Sequence, residues 1–105
     1  MGKPEAIVEV YLKNKVESIG GICYKFSSPS RRNVPDRLCA FRLGVTAFVE
    51  CKAEKGVLSR GQVKEFDRLA NLGHIIAVVH TKAEVDEFID VIKGVLAGGK
   101  TDAKI

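Results

Sequence analysis

Apolar residues recur at the three- and four-residue spacing of an amphipathic helix in three stretches of the chain. They are, in chain order, Ile7, Val8, Tyr11, Leu12, Val16 and Ile19; then Val63, Phe66, Leu69, Ala70 and Leu72; then Val85, Phe88, Ile89, Ile92 and Leu96. Ser59 and Thr81 are predicted N-caps of the second and third stretches. The pattern predicts helices over residues 4–19, 60–72 and 82–96.

Four shorter apolar stretches are typical of β-strands and span residues 22–26, 37–43, 45–52 and 74–80. The second and third are joined tightly around Gly44, as in a hairpin. The fourth is apolar almost throughout, which is typical of a strand covered on both faces. The predicted fold is α/β, with a mixed sheet flanked by helices and the order α-β-β-β-α-β-α.

The chain has 105 residues, which predicts one domain over 1–105, with residues 98–105 as a frayed tail. Its formal net charge of +4 is compatible with a polyanionic partner and equally with a solvated basic surface. No apolar run approaches the roughly 20 residues of a membrane helix, and the first residues show no signal-peptide pattern. We expect a cytoplasmic location.

The three cysteines, Cys23, Cys39 and Cys51, lie in apolar stretches without the spacing of a zinc site. We expect buried, reduced thiols and a reducing compartment. The sequence therefore predicts neither a structural zinc site nor a disulfide framework.

The candidate chemistry lies in Pro35-Asp36 and, fourteen residues after the aspartate, in Glu50-Cys51-Lys52. Side chains alternate along a strand, so Glu50 and Lys52 share one face. A hairpin loop of residues 43–45 would place Asp36 opposite Lys52, as a same-face diagonal neighbour of Glu50 at roughly 5–8 Å. A two-residue turn would place Asp36 on the other face, unless the chain bends at Pro35.

Two carboxylates that meet on a sheet repel each other unless a cation neutralises them. Oxygen ligands favour Mg²⁺ or Mn²⁺ over zinc. Such a metal polarises a phosphodiester and activates a water, and Lys52 would orient that water or stabilise negative charge. The competing interpretation is a turn aspartate beside the solvated edge of a strand.

With these residues the chain resembles the VRR-NUC (virus-type replication-repair nuclease) domain of the PD-(D/E)xK superfamily, in its stand-alone phage and bacterial form. The resemblance runs over residues 5–79. It is carried by these segments and residues: Gly20-Gly21, Lys25-Phe26-Ser27-Ser28-Pro29, Val34-Pro35-Asp36-Arg37-Leu38, Phe48-Val49-Glu50-Cys51-Lys52-Ala53, Leu58-Ser59, Gln62, Leu69 and Gly73. It implies a restriction-endonuclease-like core and a divalent-metal-dependent DNA endonuclease.

The resemblance also implies roles for individual residues. The implied metal ligands are Asp36, Glu50, the Cys51 carbonyl and a first-helix glutamate, for which Glu9 is the better match and Glu5 the competitor. Lys52 and Gln62 are implied to be catalytic together with Asp36 and Glu50.

DNA is the expected partner, and Lys25, Arg31, Arg32 and Arg37 are predicted phosphate contacts. The competing interpretation is a solubilising basic loop; Lys25 is favoured because a lysine is unusual in an apolar strand. The family resemblance further implies a homodimer that cuts branched DNA such as four-way junctions in replication, repair or recombination. The alternatives are a catalytically inactive DNA-binding module and a structural subunit of a larger nuclease complex.

Overall fold

A computed structural model describes residues 4–98 and contains three helices around one four-stranded sheet. The helices are α1 (Pro4–Ser18), α2 (Arg60–Asn71) and α3 (Lys82–Leu96), and the strands are β1 (Ile22–Lys25), β2 (Arg37–Ala40), β3 (Thr46–Cys51) and β4 (Ile75–Val79). This order confirms the predicted α-β-β-β-α-β-α succession. Of the predicted frayed tail, only Gly98 lies within the described residues.

The sheet has the order β1-β2-β3-β4 and is mixed. β1 pairs with β2 and β2 with β3 in antiparallel fashion, whereas β3 and β4 are parallel. Parallel neighbours need a crossover connection, which α2 supplies between β3 and β4. Chemistry at the carboxyl end of β3 therefore lies next to the start of α2.

The main hydrophobic core lies between one face of the sheet and the helices α1 and α3. Its largest fully buried members include Leu12, Val16, Phe88, Ile89 and Ile92. Phe66 of α2 and Ile76 of β4 are also nearly fully buried, but they lie outside that core cluster. α2 thus covers the opposite face, and all five predicted apolar positions of α3 are buried.

Several predicted core positions are wrong. Ile7 of α1 is 53% exposed, and in α2 Val63 and Leu72 are 42% and 70% exposed. α2 covers the sheet mainly through Phe66 and the buried Glu65, so its apolar stripe is narrower than its sequence implies. β1 is an edge strand with Ile22 and Tyr24 about half exposed, because only β2 pairs with it within the described sheet.

The β2–β3 hairpin turns through residues Arg42–Gly44. Phe41 N–H donates to the Val45 carbonyl at 2.7 Å, which closes a loop of three residues. Both Leu43 (φ 62°) and Gly44 (φ 71°) adopt left-handed backbone conformations, a conformation that glycine adopts without strain and leucine rarely does. The predicted loop of residues 43–45 is wrong by one position, but its odd length is correct.

No helix within residues 4–98 is long and apolar enough to cross a membrane. The expected buried, reduced thiols are found for Cys39 and Cys51, whereas Cys23 on the edge strand is only partly buried. All three cysteines are free, although the sulfur atoms of Cys23 and Cys39 are 3.8 Å apart on paired strands.

Candidate active site

The hairpin register brings Asp36 and Glu50 into direct contact. Arg37 pairs with Val49, so the next residue pair along the ladder is Asp36 opposite Glu50. Asp36 N–H donates to Glu50 Oε1 at 3.1 Å, and Cys51 N–H donates to Asp36 Oδ1 at 3.1 Å. The predicted diagonal arrangement is therefore wrong, because the residue opposite Asp36 is Glu50 and not Lys52, two positions further on. Side chains alternate along a strand with period two, so this shift leaves both carboxylates on the predicted common face.

Glu50 is a buried carboxylate, with only 6% of the residue exposed. Besides the Asp36 N–H, its Oε2 accepts a hydrogen bond from Gln62 Nε2 at 3.2 Å and lies 3.4 Å from Lys52 Nζ. Buried charges persist in proteins when they are paired and hydrogen-bonded. The structure thus brings together all four residues predicted to be catalytic: Asp36, Glu50, Lys52 and Gln62.

The orientation of the Gln62 amide is set by the start of α2. Ser59 Oγ accepts from Gln62 N–H at 3.1 Å, and Gln62 Oε1 accepts from Ser59 N–H at 3.0 Å, which forms a capping box. With the amide oxygen occupied in this way, the Nε2 donor points towards Glu50. The S-x-x-Q spacing in the sequence signals this double role, which the sequence analysis missed.

Both candidate glutamates of α1 reach the same place. Carboxylate oxygens of Glu5, Glu9 and Asp36 all lie within 4.8 Å of one another. Residues four apart on a helix share a face, so Glu5 and Glu9 approach Asp36 together. The choice between them is therefore not exclusive, and each remains a predicted metal ligand. Glu50, which accepts from the Asp36 N–H, is not a member of this group of three.

The raised pKa of Asp36 is typical of a carboxyl group in a cation-binding site that holds no cation. The pKa of Asp36 is raised from its ordinary 3.8 to about 6, first by burial and then by the neighbouring Glu50 charge, although the hydrogen bond from the Cys51 amide and the charge of Arg37 act in the opposite direction. A carboxyl that is costly to ionise in the metal-free protein gains most from a bound cation.

The donor set fits Mg²⁺ or Mn²⁺, because Glu5, Glu9, Asp36 and Glu50 all offer carboxylate oxygens. Cys51 lies between Glu50 and Lys52 at the end of β3, and ligation through its carbonyl stays a prediction. A cavity of about 320 Å³ opens beside the acids and is lined by Glu9, Lys25, Phe26, Ser27, Asp36 and Arg37.

Two of the four predicted phosphate contacts have other partners in the structure. Arg37 is only 8% exposed, and its Nη2 pairs with Glu9 Oε2 at 3.0 Å, so its position is that of a buried support for Glu9. Arg31 Nε donates to Glu65 Oε2 at 2.8 Å, although half of its side chain stays exposed. Glu65 itself was missed by the sequence analysis, since an acid on a helix gives no sign of burial.

The other two predicted phosphate contacts, Lys25 and Arg32, are exposed. Lys25 lines the cavity beside Asp36. The reason given for it is wrong, however, because β1 is an exposed edge strand on which a lysine is ordinary. Phosphate binding by Lys25 and Arg32 stays a prediction.

Comparisons with known proteins agree with this geometry. No family model matches the sequence. The chain is 46% identical over 78 residues to "Putative nuclease p44" of Acyrthosiphon pisum secondary endosymbiont phage 1, an alignment that covers 74% of this chain and 84% of the phage protein. A solved structure described as a VRR_NUC domain superposes with a TM-score of 0.80 at 32% sequence identity, covering 85% of this chain and 97% of that one.

The shared fold includes the mixed sheet and its flanking helices. On this sequence and structural evidence, the chain belongs to the VRR-NUC family.

Proposed function

We propose that the protein is a divalent-metal-dependent DNA endonuclease that hydrolyses phosphodiester bonds. One observation carries the proposal: the partly buried Asp36 contacts the buried Glu50, with Lys52 beside Glu50 and two helix carboxylates near Asp36. The name of the phage relative, "Putative nuclease p44", supports nuclease activity. Folding such a set of acids without a cation costs free energy, which makes a purely structural role hard to explain.

The roles of the chain's own residues follow from their contacts. Glu5, Glu9, Asp36 and Glu50 would hold Mg²⁺ or Mn²⁺, which polarises the phosphate and makes a bound water more acidic. Lys52, held against Glu50, would stabilise the negative charge that develops on the phosphate oxygens. Gln62 fixes Glu50, and Arg37 fixes Glu9, so both act as positioning residues.

The scissile phosphate would enter the cavity beside Asp36. The exposed Lys25 lines this cavity and would meet a phosphate oxygen there. Phe26, Ser27 and Arg37 also line it. The anionic phosphate would thus find a cation beside the acids.

The inactive DNA-binding module and the structural subunit remain the alternatives. The acid cluster argues against the inactive DNA-binding module, because it repels phosphate unless a cation is bound. The resemblance further favours branched DNA as the substrate, including four-way junctions in replication, repair or recombination. It also favours a homodimer with two sites, and sedimentation velocity would measure that oligomeric state directly. The free thiols favour a reducing, cytoplasmic location.

The deciding experiment offers four-way-junction, flap, single-stranded and duplex DNA to the purified protein with Mg²⁺, Mn²⁺ or EDTA. We expect cleavage with a metal and none in EDTA. The Lys52→Ala variant should lose cleavage by a factor on the order of 10² or more while it still binds DNA. Absence of metal-dependent cleavage on every substrate by a folded sample would overturn the enzyme proposal.

A further inference from the structure

A line of basic side chains runs along the exposed side of α2. Arg60, Lys64 and Arg68 follow one another at four-residue intervals, and each is exposed. Four residues of helix rise about 6 Å. Successive phosphates of one DNA strand advance about 3.4 Å along the duplex axis while they wind around it, so their spacing in space is similar to that of the three side chains. These side chains can therefore meet neighbouring phosphates of a single strand.

The loop before β2 is fastened to the first turn of this helix. Asn33 adopts a left-handed backbone conformation (φ 68°), and its side chain lies against Gly61. A Cβ atom at position 61 would collide with the Asn33 side-chain amide, so any larger residue there would displace that side chain. The close approach brings the loop that carries Arg31 and Arg32 beside the basic residues of α2.

A buried carboxylate organises the arginines at this junction. Glu65 is 7% exposed; its Oε2 accepts from Arg31 Nε at 2.8 Å, and its Oε1 lies 3.6 Å from Arg68 Nε. The hydrogen bond from Arg31 lowers the pKa of Glu65, which keeps it ionised. A contact at Nε leaves the terminal Nη donors of each guanidinium for another acceptor, such as a phosphate.

These residues line a groove of about 330 Å³ in which four cations, Arg31, Arg32, Lys64 and Arg68, surround one carboxylate, Glu65. Arg60 extends it by one helical turn. The groove and the catalytic residues are carried by the same chain segments: the loop that lines the groove leads into Asp36, and α2 also carries Gln62, which donates to Glu50.

We propose that this basic groove binds the phosphate backbone of a DNA arm that leaves the active site, and that Glu65 positions Arg31 and Arg68 for that contact. The path of the arm rests on the proposed nuclease function, whereas DNA binding by the groove does not. A solvated basic surface would lack the buried acid that fixes two of its arginines.

The first test compares two triple variants that remove equal charge. Arg60→Gln/Lys64→Gln/Arg68→Gln changes the groove, and Arg42→Gln/Lys82→Gln/Lys93→Gln changes exposed cations at the hairpin turn and on α3. Binding to duplex and four-way-junction DNA is measured by fluorescence anisotropy over a series of salt concentrations, in EDTA and in Mg²⁺. Each lost phosphate contact reduces the slope of log K against log salt by about 0.9.

We expect the groove variant to lose about 2.7 from the slope and on the order of tenfold or more in affinity. The control variant should keep the slope of the unmodified protein. Equal slopes and equal affinities for the two variants would overturn the proposal, as would the absence of DNA binding by the unmodified protein in either buffer.

The second test separates positioning from simple charge. Glu65→Gln removes a negative charge, which by long-range electrostatics alone would tighten DNA binding; the proposal instead expects binding several-fold weaker. Arg31→Lys keeps the charge at a half-exposed position but loses the Nε contact, and it should weaken binding in the same direction. Glu87→Gln on exposed α3 is the control and should bind no more weakly than the unmodified protein.

Tighter binding by a folded Glu65→Gln together with unchanged binding by Arg31→Lys would exclude the positioning role. Cleavage is recorded in parallel, which separates the two proposals. If metal-dependent cleavage is observed but the groove variant has an unaltered salt slope, the groove proposal fails and the nuclease proposal stands. If the groove variant has a reduced salt slope but no metal-dependent cleavage is observed, the groove proposal stands and the nuclease proposal fails.

Discussion

Asp36 keeps its contact with Glu50 although its surroundings disfavour its ionised form. Its carboxyl group is partly buried and faces Glu50, and both effects disfavour the ionised form. Hydrogen bonds from backbone amides hold Asp36 and Glu50 in contact all the same. The two residues are therefore ordered before any cation arrives, which lowers the reorganisation needed on binding.

This arrangement predicts how stability depends on pH in the metal-free protein. Between the ordinary pKa of 3.8 and about 6, Asp36 is protonated in the folded state and ionised in the unfolded state. Its contribution to the free energy of unfolding therefore falls as the pH rises through that window, by at most about 3 kcal/mol. Above the window the contribution stays constant.

Asp36→Asn should remove that fall, because an asparagine Oδ1 can still accept the Cys51 amide. Thermal unfolding in EDTA at neutral pH should show the variant to be more stable than the unmodified protein, although it lacks cleavage activity. The exposed Asp90→Asn on α3 is the control and should leave the pH profile as it was. A variant less stable than the unmodified protein at neutral pH would contradict the assignment.

Sequence reasoning selected the four residues that the structure brings together, Asp36, Glu50, Lys52 and Gln62, because strand alternation and the family pattern are local properties of the chain. It did not predict the ion pairs of Arg37 and Arg31, because their partners are distant in sequence. Glu65 lies 34 positions from Arg31, and nothing in either segment signals the pair. Exposure and pairing of long charged side chains depend on the tertiary fold, which local patterns do not contain.

At the scale of the elements, the N-terminus of α2 connects helix stability to the active site. Ser59 caps the helix, and the same interaction orients the Gln62 amide towards Glu50. Thr81 caps α3 in a similar way by accepting from Glu84 N–H, at a position outside the catalytic residues. The two caps can therefore be compared directly, since only the cap at Ser59 contacts a candidate catalytic residue.

Ser59→Ala and Thr81→Ala should each lower the free energy of unfolding by about 1 kcal/mol, the usual cost of a lost cap. Only Ser59→Ala should also slow cleavage, by several-fold, because Gln62 loses the partner that fixes its amide oxygen. Denaturant unfolding and single-turnover cleavage measure the two effects. Equal cleavage rates for both variants would show that the capping box has no catalytic consequence.

Helices were the elements best predicted from sequence, as α3 shows with all of its apolar positions buried. Strand placement was harder to predict. Residues 22–26 look as apolar as a central strand, but sheet order makes β1 an edge. The hairpin register depended on Leu43 entering a left-handed conformation that its residue type does not favour.

At the scale of the whole molecule, the sheet and α1 form a single scaffold for the acid cluster. α1 supplies Glu5 and Glu9, while the central hairpin supplies Asp36 and Glu50. A cation bound among them would connect the first helix to the sheet. Metal binding at this cluster would therefore be coupled to global folding.

At a concentration one hundred times the dissociation constant, Mg²⁺ or Mn²⁺ should raise the free energy of unfolding by about 2.7 kcal/mol. For a domain of this size, that corresponds to a rise of roughly 10–20 °C in the midpoint of thermal unfolding. Glu5→Gln/Glu9→Gln should show a much smaller shift, with Glu17→Gln/Glu87→Gln as the charge-matched control. An equal shift in both double variants would exclude α1 from the metal site.

The three-residue turn between β2 and β3 limits how this gene can vary. Deletion or insertion of a single codon at Gly44 changes the parity of the loop, which would turn Asp36 to the opposite face of the sheet unless a bulge absorbed the change. A change of two codons preserves the face. This surface turn, at the far end of the hairpin from the acids, is thus expected to vary in length among functional relatives only by even steps.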